Sequence, residues 1–401
     1  MERTLRTARV ATFVYFVLNG TLLGMWVVQI PAIEERVGIS HAALGGFLVL
    51  LGAGAFVGMQ AGGRLSDRLG TRTVVPLAGA LCGATLVLPG LAGQPWVLGA
   101  ALLLFGFGNG TLDVSMNAHA VQVEKAYERP VMSAFHATFS VGGVLAAVAG
   151  AAAADVGWSP ATTLGTAAGV GVVVALVAAR GLLPAVQAAP AADAGGESAT
   201  GKRAVPGRIW LLAVLALLVM LCEGAANDWS VLHLEDVLGA PESTAAFAYG
   251  TYAATMTAGR LVADRISARF GPVAVLRYGA AVAAAGITIV ALTPWIWAAL
   301  TGWALFGLGL SGCIPQLFSA AGHTDPSAAG TNVSRVAGLG YIGMLAGPAV
   351  IGWMTHLTPL NHTFLLLTLF CATAAAAAGI LRPGSPKEPH ESAAHSTASG
   401  G

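Results

Sequence analysis

An all-α membrane protein of twelve transmembrane helices, arranged as two pseudo-symmetric six-helix bundles, is what this sequence predicts, and three observations carry the prediction. Of the 401 residues, 56% are hydrophobic and only 10% are charged, whereas soluble domains run near one quarter charged. Apolar runs of the length a bilayer demands, about 20 residues, recur along the whole chain. Lysine and arginine gather on one side of the alternating loops, as topology-setting residues do. The near balance of 20 Lys+Arg against 19 Asp+Glu removes the basic surface that nucleic-acid binding requires. Cys82, Cys222, Cys313 and Cys371 stand singly in apolar stretches, without a CxxC pair or a histidine at ligand spacing, so no metal site is expected.

Cutting the chain where charges, polar clusters or Gly-Pro signals interrupt the apolar runs gives spans over residues 10–30, 43–61, 73–92, 97–120, 132–154, 161–183, 209–230, 245–263, 273–293, 296–319, 331–354 and 362–381. The first follows a short basic start but lacks a small-x-small cleavage site, which makes it a retained helix rather than a cleaved signal. Twelve spans place both termini on one side. Nineteen of the 20 basic residues fall there or at helix ends facing it, and Arg36 alone falls opposite. The expected topology is a multi-pass protein of the cytoplasmic (inner) membrane with both termini cytoplasmic.

Residues 184–208 are rich in Pro, Ala, Gly and Ser and cannot bury a core, so they read as a cytoplasmic linker between an N-terminal bundle, 1–183, and a C-terminal bundle, 209–382. Residues 383–401 read as a disordered tail. The halves echo each other: Gly63-Arg64-Leu65-Ser66-Asp67-Arg68 returns as Gly259-Arg260-Leu261-Val262-Ala263-Asp264-Arg265, and Leu104-Phe105-Gly106-Phe107-Gly108 as Leu305-Phe306-Gly307-Leu308-Gly309. Duplicated halves of this kind suggest a transporter.

The loop after the second span, Gly63-x-x-x-Asp67-Arg68-x-Gly70-x-Arg72, resembles the signature of the major facilitator superfamily, with Thr73 standing where many members carry a second basic residue. The resemblance implies a conformational gate in which Asp67, with Arg68, Gly70 and Arg72, faces the N-terminal end of the eleventh span near Arg335. Arg260 and Asp264 would be its degenerate copy.

Inside the spans, a carboxylate near the bilayer centre costs about 2.5 to 3.5 kcal/mol and so needs a reason. Asn109, Asp113 and Asn117 share one face of the fourth span at i, i+4 and i+8. The segment Leu112-Asp113-Val114-Ser115-Met116-Asn117 resembles the acid-x-x-x-Asn element of fucose-permease-like sugar/proton symporters, which implies a proton-coupling acid. The Gly224-Ala225-x-x-x-Trp229-Ser230 part of the seventh span, which also carries Glu223, Asn227 and Asp228, is similar to that branch. Arg129-Pro130-x-Met132-Ser133-x-Phe135-His136 before the fifth resembles the bacterial inner-membrane relatives of the fucose-permease branch, to which the resemblance is closest. The first span carries no carboxylate, where the sugar symporters have one.

Asp113, Glu223 and His136 are therefore the candidate proton-handling groups. Asn19, Trp26 and Gln29 from span one, Asn109 and Asn117 from span four, Asn227 and Trp229 from span seven, and Pro315 with Gln316 from span ten are expected to line a central cavity covered by Tyr249 and Tyr252. Gly343-x-x-x-Gly347-Pro348 reads as a packing and hinge surface. No strand precedes Gly106-Phe107-Gly108 and no phosphate-loop lysine occurs, so nucleotide binding is not expected. The reading is a secondary active transporter, monomeric and without cofactor, that moves a small polar solute with protons by alternating access. Its rivals are a proton-driven exporter and a non-transporting sensor. No nucleophile-base pair or metal cluster supports an enzyme.

Overall fold

The computed structural model describes residues 2–39, 41–184 and 207–382. The expected linker 184–208, apart from its ends, and the expected tail 383–401 lie outside the described residues. Within them the chain forms helices and no strand: α1 (Glu2–Val37), α2 (His41–Leu69), α3 (Thr71–Leu91), α4 (Pro95–Tyr127), α5 (Met132–Asp155), α6 (Pro160–Ala178), α7 (Gly207–Leu232), α8 (Glu242–Phe270), α9 (Pro272–Leu292), α10 (Ile296–Leu310), α11 (Cys313–Thr324), α12 (Ala329–Met354) and α13 (Leu360–Ala377).

Eleven stretches are long and apolar enough to cross a bilayer. The twelfth crossing, α8, falls short of that apolarity because it carries Arg260, Asp264, Arg265 and Arg269 together with threonines and tyrosines. The tenth crossing differs from the single helix over 296–319. It breaks at Ser311-Gly312 into α10 and α11 and runs on to Thr324. Gly and Ser at adjacent positions favour such a break.

Packing repeats between the halves. In the first, α2 lies on α4, α1 on α5 and α3 on α6; in the second, α8 lies on α10, α7 on α12 and α9 on α13. The two bundles meet along α2 with α12 and α5 with α8, which are equivalent pairs under the same correspondence. Close approach depends on missing side chains: a β-carbon at Gly106 on α4 would fall on the Leu51 carbonyl of α2, and one at Gly307 on α10 would fall on the Tyr252 carbonyl of α8. The turns from α2 to α3 and from α8 to α9 are made by Gly70 at φ 79° and Gly271 at φ 83°, a left-handed conformation that glycine adopts without strain. These turns lie on one face of the molecule, the face where α1 begins. It is called the terminal face below.

Candidate functional site

At the terminal face two carboxylates cross from one bundle to cap a helix of the other. Asp67, near the end of α2, accepts hydrogen bonds from the backbone N–H groups of Gly330 and Thr331, both at 2.8 Å, and from the Thr331 hydroxyl. These residues open α12, whose first N–H groups have no partner within the helix and whose dipole favours an anion. Gly63 permits the approach, since a β-carbon there would lie 2.5 Å from Ser334 Cβ and 2.8 Å from the Gly330 carbonyl oxygen. Asp264, on α8, does the same for α5. It accepts from Ser133 N at 2.9 Å and Ala134 N at 2.7 Å.

Two more contacts close this face. Buried Glu124 accepts from Val131 N at 3.0 Å and Met132 N at 3.1 Å, holding the α4–α5 turn, and from the Ser319 hydroxyl of α11 in the other bundle. Lys125 Nζ donates to the Gly322 carbonyl at 2.9 Å. Arg68 and Arg72 are exposed beside Asp67, and Arg335 donates to Asn332 at 3.1 Å rather than to the aspartate.

A second group of residues lies further in. Asp113 on α4 is buried, and its Oδ2 has no hydrogen-bond partner among the described residues. Asn117, one turn on, donates through Nδ2 to the Asp113 carbonyl at 2.9 Å and Oδ1 at 3.4 Å. The Asn117 Oδ1 lies 3.1 Å from His136 Nε2 on α5, so Asp113, Asn117 and His136 form one chain. The His136 ring packs edge-on against Phe16, 5.3 Å between centroids, and lies 5.9 Å from the Phe318 ring of the other bundle.

From the second bundle come Glu223 on α7, Arg260 on α8 and Tyr341 on α12. Arg260 Nη2 stands 3.9 Å from Glu223 Oε2, with the two side chains 16% and 8% exposed. Arg260 is also within electrostatic reach of His136, Tyr252 and Tyr341, and Tyr341 of Asp113. This corrects the expected place of Arg260 in the gate. It sits one helical turn inward of Asp264, and its side chain turns toward Glu223 instead of the terminal face.

The remaining expected lining residues do not converge as one set. Asn109 donates to Asn19 at 2.8 Å, so these two satisfy each other between α4 and α1. Trp26 is 1% exposed in the apolar core, and Gln29 is buried nearby on α1. Asn227 is exposed and Trp229 Nε1 donates to the Pro348 carbonyl at 3.1 Å. Tyr252 is buried against Trp303 and Phe306 of its own bundle, while Tyr249 is 45% exposed. Gln316 is a correction. The break before α11 carries it to the terminal face, where it accepts from Ser267 at 3.1 Å and lines a cleft of about 760 Å³ with Glu124, Lys125, Arg129, Arg208 and His323. Tyr341 and Glu124 were missed. Tyr341 lies in a plain apolar span, and Glu124 looked like an ordinary end-of-helix charge.

The comparisons with known proteins agree with this architecture. The family model described as Major Facilitator Superfamily matches residues 10–332 and 229–399. The chain belongs to the major facilitator superfamily. An uncharacterized MFS-type transporter of Yersinia pestis is 35% identical over 92% of this chain and 94% of its own. A gentisate transporter of Corynebacterium glutamicum is 25% identical over 80% of this chain and 74% of its own. Among solved structures, the Escherichia coli fucose:proton symporter FucP in its outward conformation matches with a TM-score of 0.76 at 19% identity, over 94% of this chain and 98% of that one. The superfamily fold accounts for the paired six-helix bundles of this chain.

Proposed function

We propose that this superfamily member is a proton-coupled symporter that carries a small polar solute across the cytoplasmic membrane, with the terminal face toward the cytoplasm. The basic residues gathered at that face support the orientation. Both carboxylate caps are engaged there, which supports reading the described state as one held together at that face.

The observation that carries the reading is the Asp113 carboxyl, buried between the bundles with an unpartnered oxygen and joined through Asn117 to His136. A bare carboxylate cannot cheaply be enclosed when the bundles close over it. A proton on Asp113 removes that cost, and solute and proton then cross together. The likeness of fold to a fucose:proton symporter supports the assignment.

Uptake into proteoliposomes under an imposed inward proton gradient, with a panel of labelled sugars, sugar acids and small metabolites, tests it. The expected result is accumulation of at least one compound, abolished by a protonophore. Accumulation of none, with dye extrusion from inverted vesicles, would replace symport by export.

A further inference from the structure

Sequence reasoning treats the two intramembrane acids, Asp113 and Glu223, alike. Their surroundings are different. Glu223 faces a fixed cation: Arg260 Nη2 is 3.9 Å from its Oε2, and a guanidinium keeps its charge at any accessible pH. Among the described residues no cation stands against Asp113. The groups around it are neutral hydrogen-bonding side chains, Asn117 on its own helix and the Tyr341 hydroxyl on α12, with His136 beyond Asn117.

Among the described residues the titratable and charged groups at the centre include Asp113 on α4, His136 on α5, Cys222 and Glu223 on α7, Tyr249, Tyr252 and Arg260 on α8, Cys313 on α11 and Tyr341 on α12. With His136, the thiols and the tyrosines counted as neutral, Glu223 and Arg260 cancel and Asp113 leaves one uncompensated negative charge. One proton erases it.

Resting on the symport reading above, we propose that Arg260 is a positioning residue which reserves proton carriage for Asp113: it holds Glu223 as a fixed charge pair, so that a single proton is taken up per cycle. The pair geometry supports a reserve rather than a rigid bridge. At 3.9 Å with Arg260 Nε and Glu223 Oε1 both buried and unpartnered, the two groups compensate charge without a full set of hydrogen bonds. Removing the arginine leaves Glu223 in the same enclosed, uncompensated position that Asp113 occupies, and it then takes a second proton.

Counted four residues back from the aspartate of each copy, the helix register holds Gly63 in the first bundle and Arg260 in the second, a packing glycine in one and a cation for charge compensation in the other.

The test reads proton occupancy directly and needs no transported solute, so it stands apart from success or failure of the symport assay. Infrared difference spectra of the full-length protein in lipid, taken between acidic and alkaline buffer, register protonated buried carboxyl groups. Over the background of the other carboxyl groups, buried Glu124 among them, the wild type is expected to show a buried-carboxyl component that Asp113→Asn removes and Glu223→Gln keeps. Arg260→Gln is expected to add a second band of comparable area, which Arg260→Gln combined with Glu223→Gln removes. Arg260→Lys, which retains the charge, serves where Arg260→Gln does not fold, and it should add no band while Glu223→Gln still leaves the original one. A spectrum unchanged by Asp113→Asn, a component lost in Glu223→Gln, or a folded Arg260→Gln protein that gains no component over the wild type overturns the proposal.

Discussion

The two copies of the loop motif are built alike and used differently. In both, an aspartate near the end of the second helix of its bundle crosses to the other bundle and caps the N-terminus of a helix there, Asp67 on α12 and Asp264 on α5. One turn earlier the copies diverge. Gly63 brings α2 against Gly330 and Ser334 of α12, whereas Arg260 sends a cation inward to Glu223. The first copy is therefore a latch between backbones. The second joins a latch to the central charges, and the helix it caps, α5, carries His136 one turn inside. The repeated device makes its interbundle contact in both halves and is joined to the proposed proton site in one.

The largest effect that could break this comparison comes from Gly63→Leu. Its side chain would overlap Ser334 and the Gly330 backbone, which cannot swing aside as a flexible side chain can, so the cost lies at or above the upper end of the about 1 to 3 kcal/mol usual for overpacking. Uptake should fall about tenfold or more by the same measure, and a cysteine placed at the terminal face should label faster. Gly259→Ala presses on Ser311 within its own bundle and should leave the labelling unchanged.

Next come the caps themselves. Asp67→Asn forfeits charge-assisted hydrogen bonds worth about 1.5 to 3 kcal/mol. Asp264→Asn should cost less, because it receives two donors where Asp67 receives three. Thermal unfolding and terminal-face cysteine labelling, read side by side, rank the two variants, and equal effects would undo the asymmetry. Asn117→Leu should follow: it strands His136 and Asp113 without their shared partner, at about 1 to 3 kcal/mol for the unsatisfied groups, and should slow gradient-driven uptake more than solute exchange. The smallest effect expected is Lys125→Met, which removes one bond to the Gly322 carbonyl, about 0.5 to 1.5 kcal/mol, and should change uptake by less than tenfold.

Much of the fold was legible because a bilayer leaves few alternatives: a run of apolar residues must be a helix, and the basic residues mark its ends. The break at Ser311-Gly312 was not legible, since both residues also occur within continuous helices and only packing decides. The turn and the cap were readable where a motif fixes a loop, as with Gly70 at positive φ and Asp67 at the start of α12. Arg260 was misplaced because a motif position states where a residue lies along the helix, while the direction of a long flexible side chain is set by what it meets. Asn19, Asn109, Trp26 and Gln29 illustrate the same limit. Polar or large residues on an inner face can satisfy one another or fill the core as readily as line a cavity.

The measurement that tests the central claim most directly is a pair of assays on Asp113→Asn in proteoliposomes, using whichever compound the wild type accumulates. The account predicts that uphill accumulation driven by an inward proton gradient is lost, while exchange of the same compound across the membrane at equal pH persists, because the variant is permanently neutral at the proton site. Full gradient-driven accumulation by Asp113→Asn would contradict it.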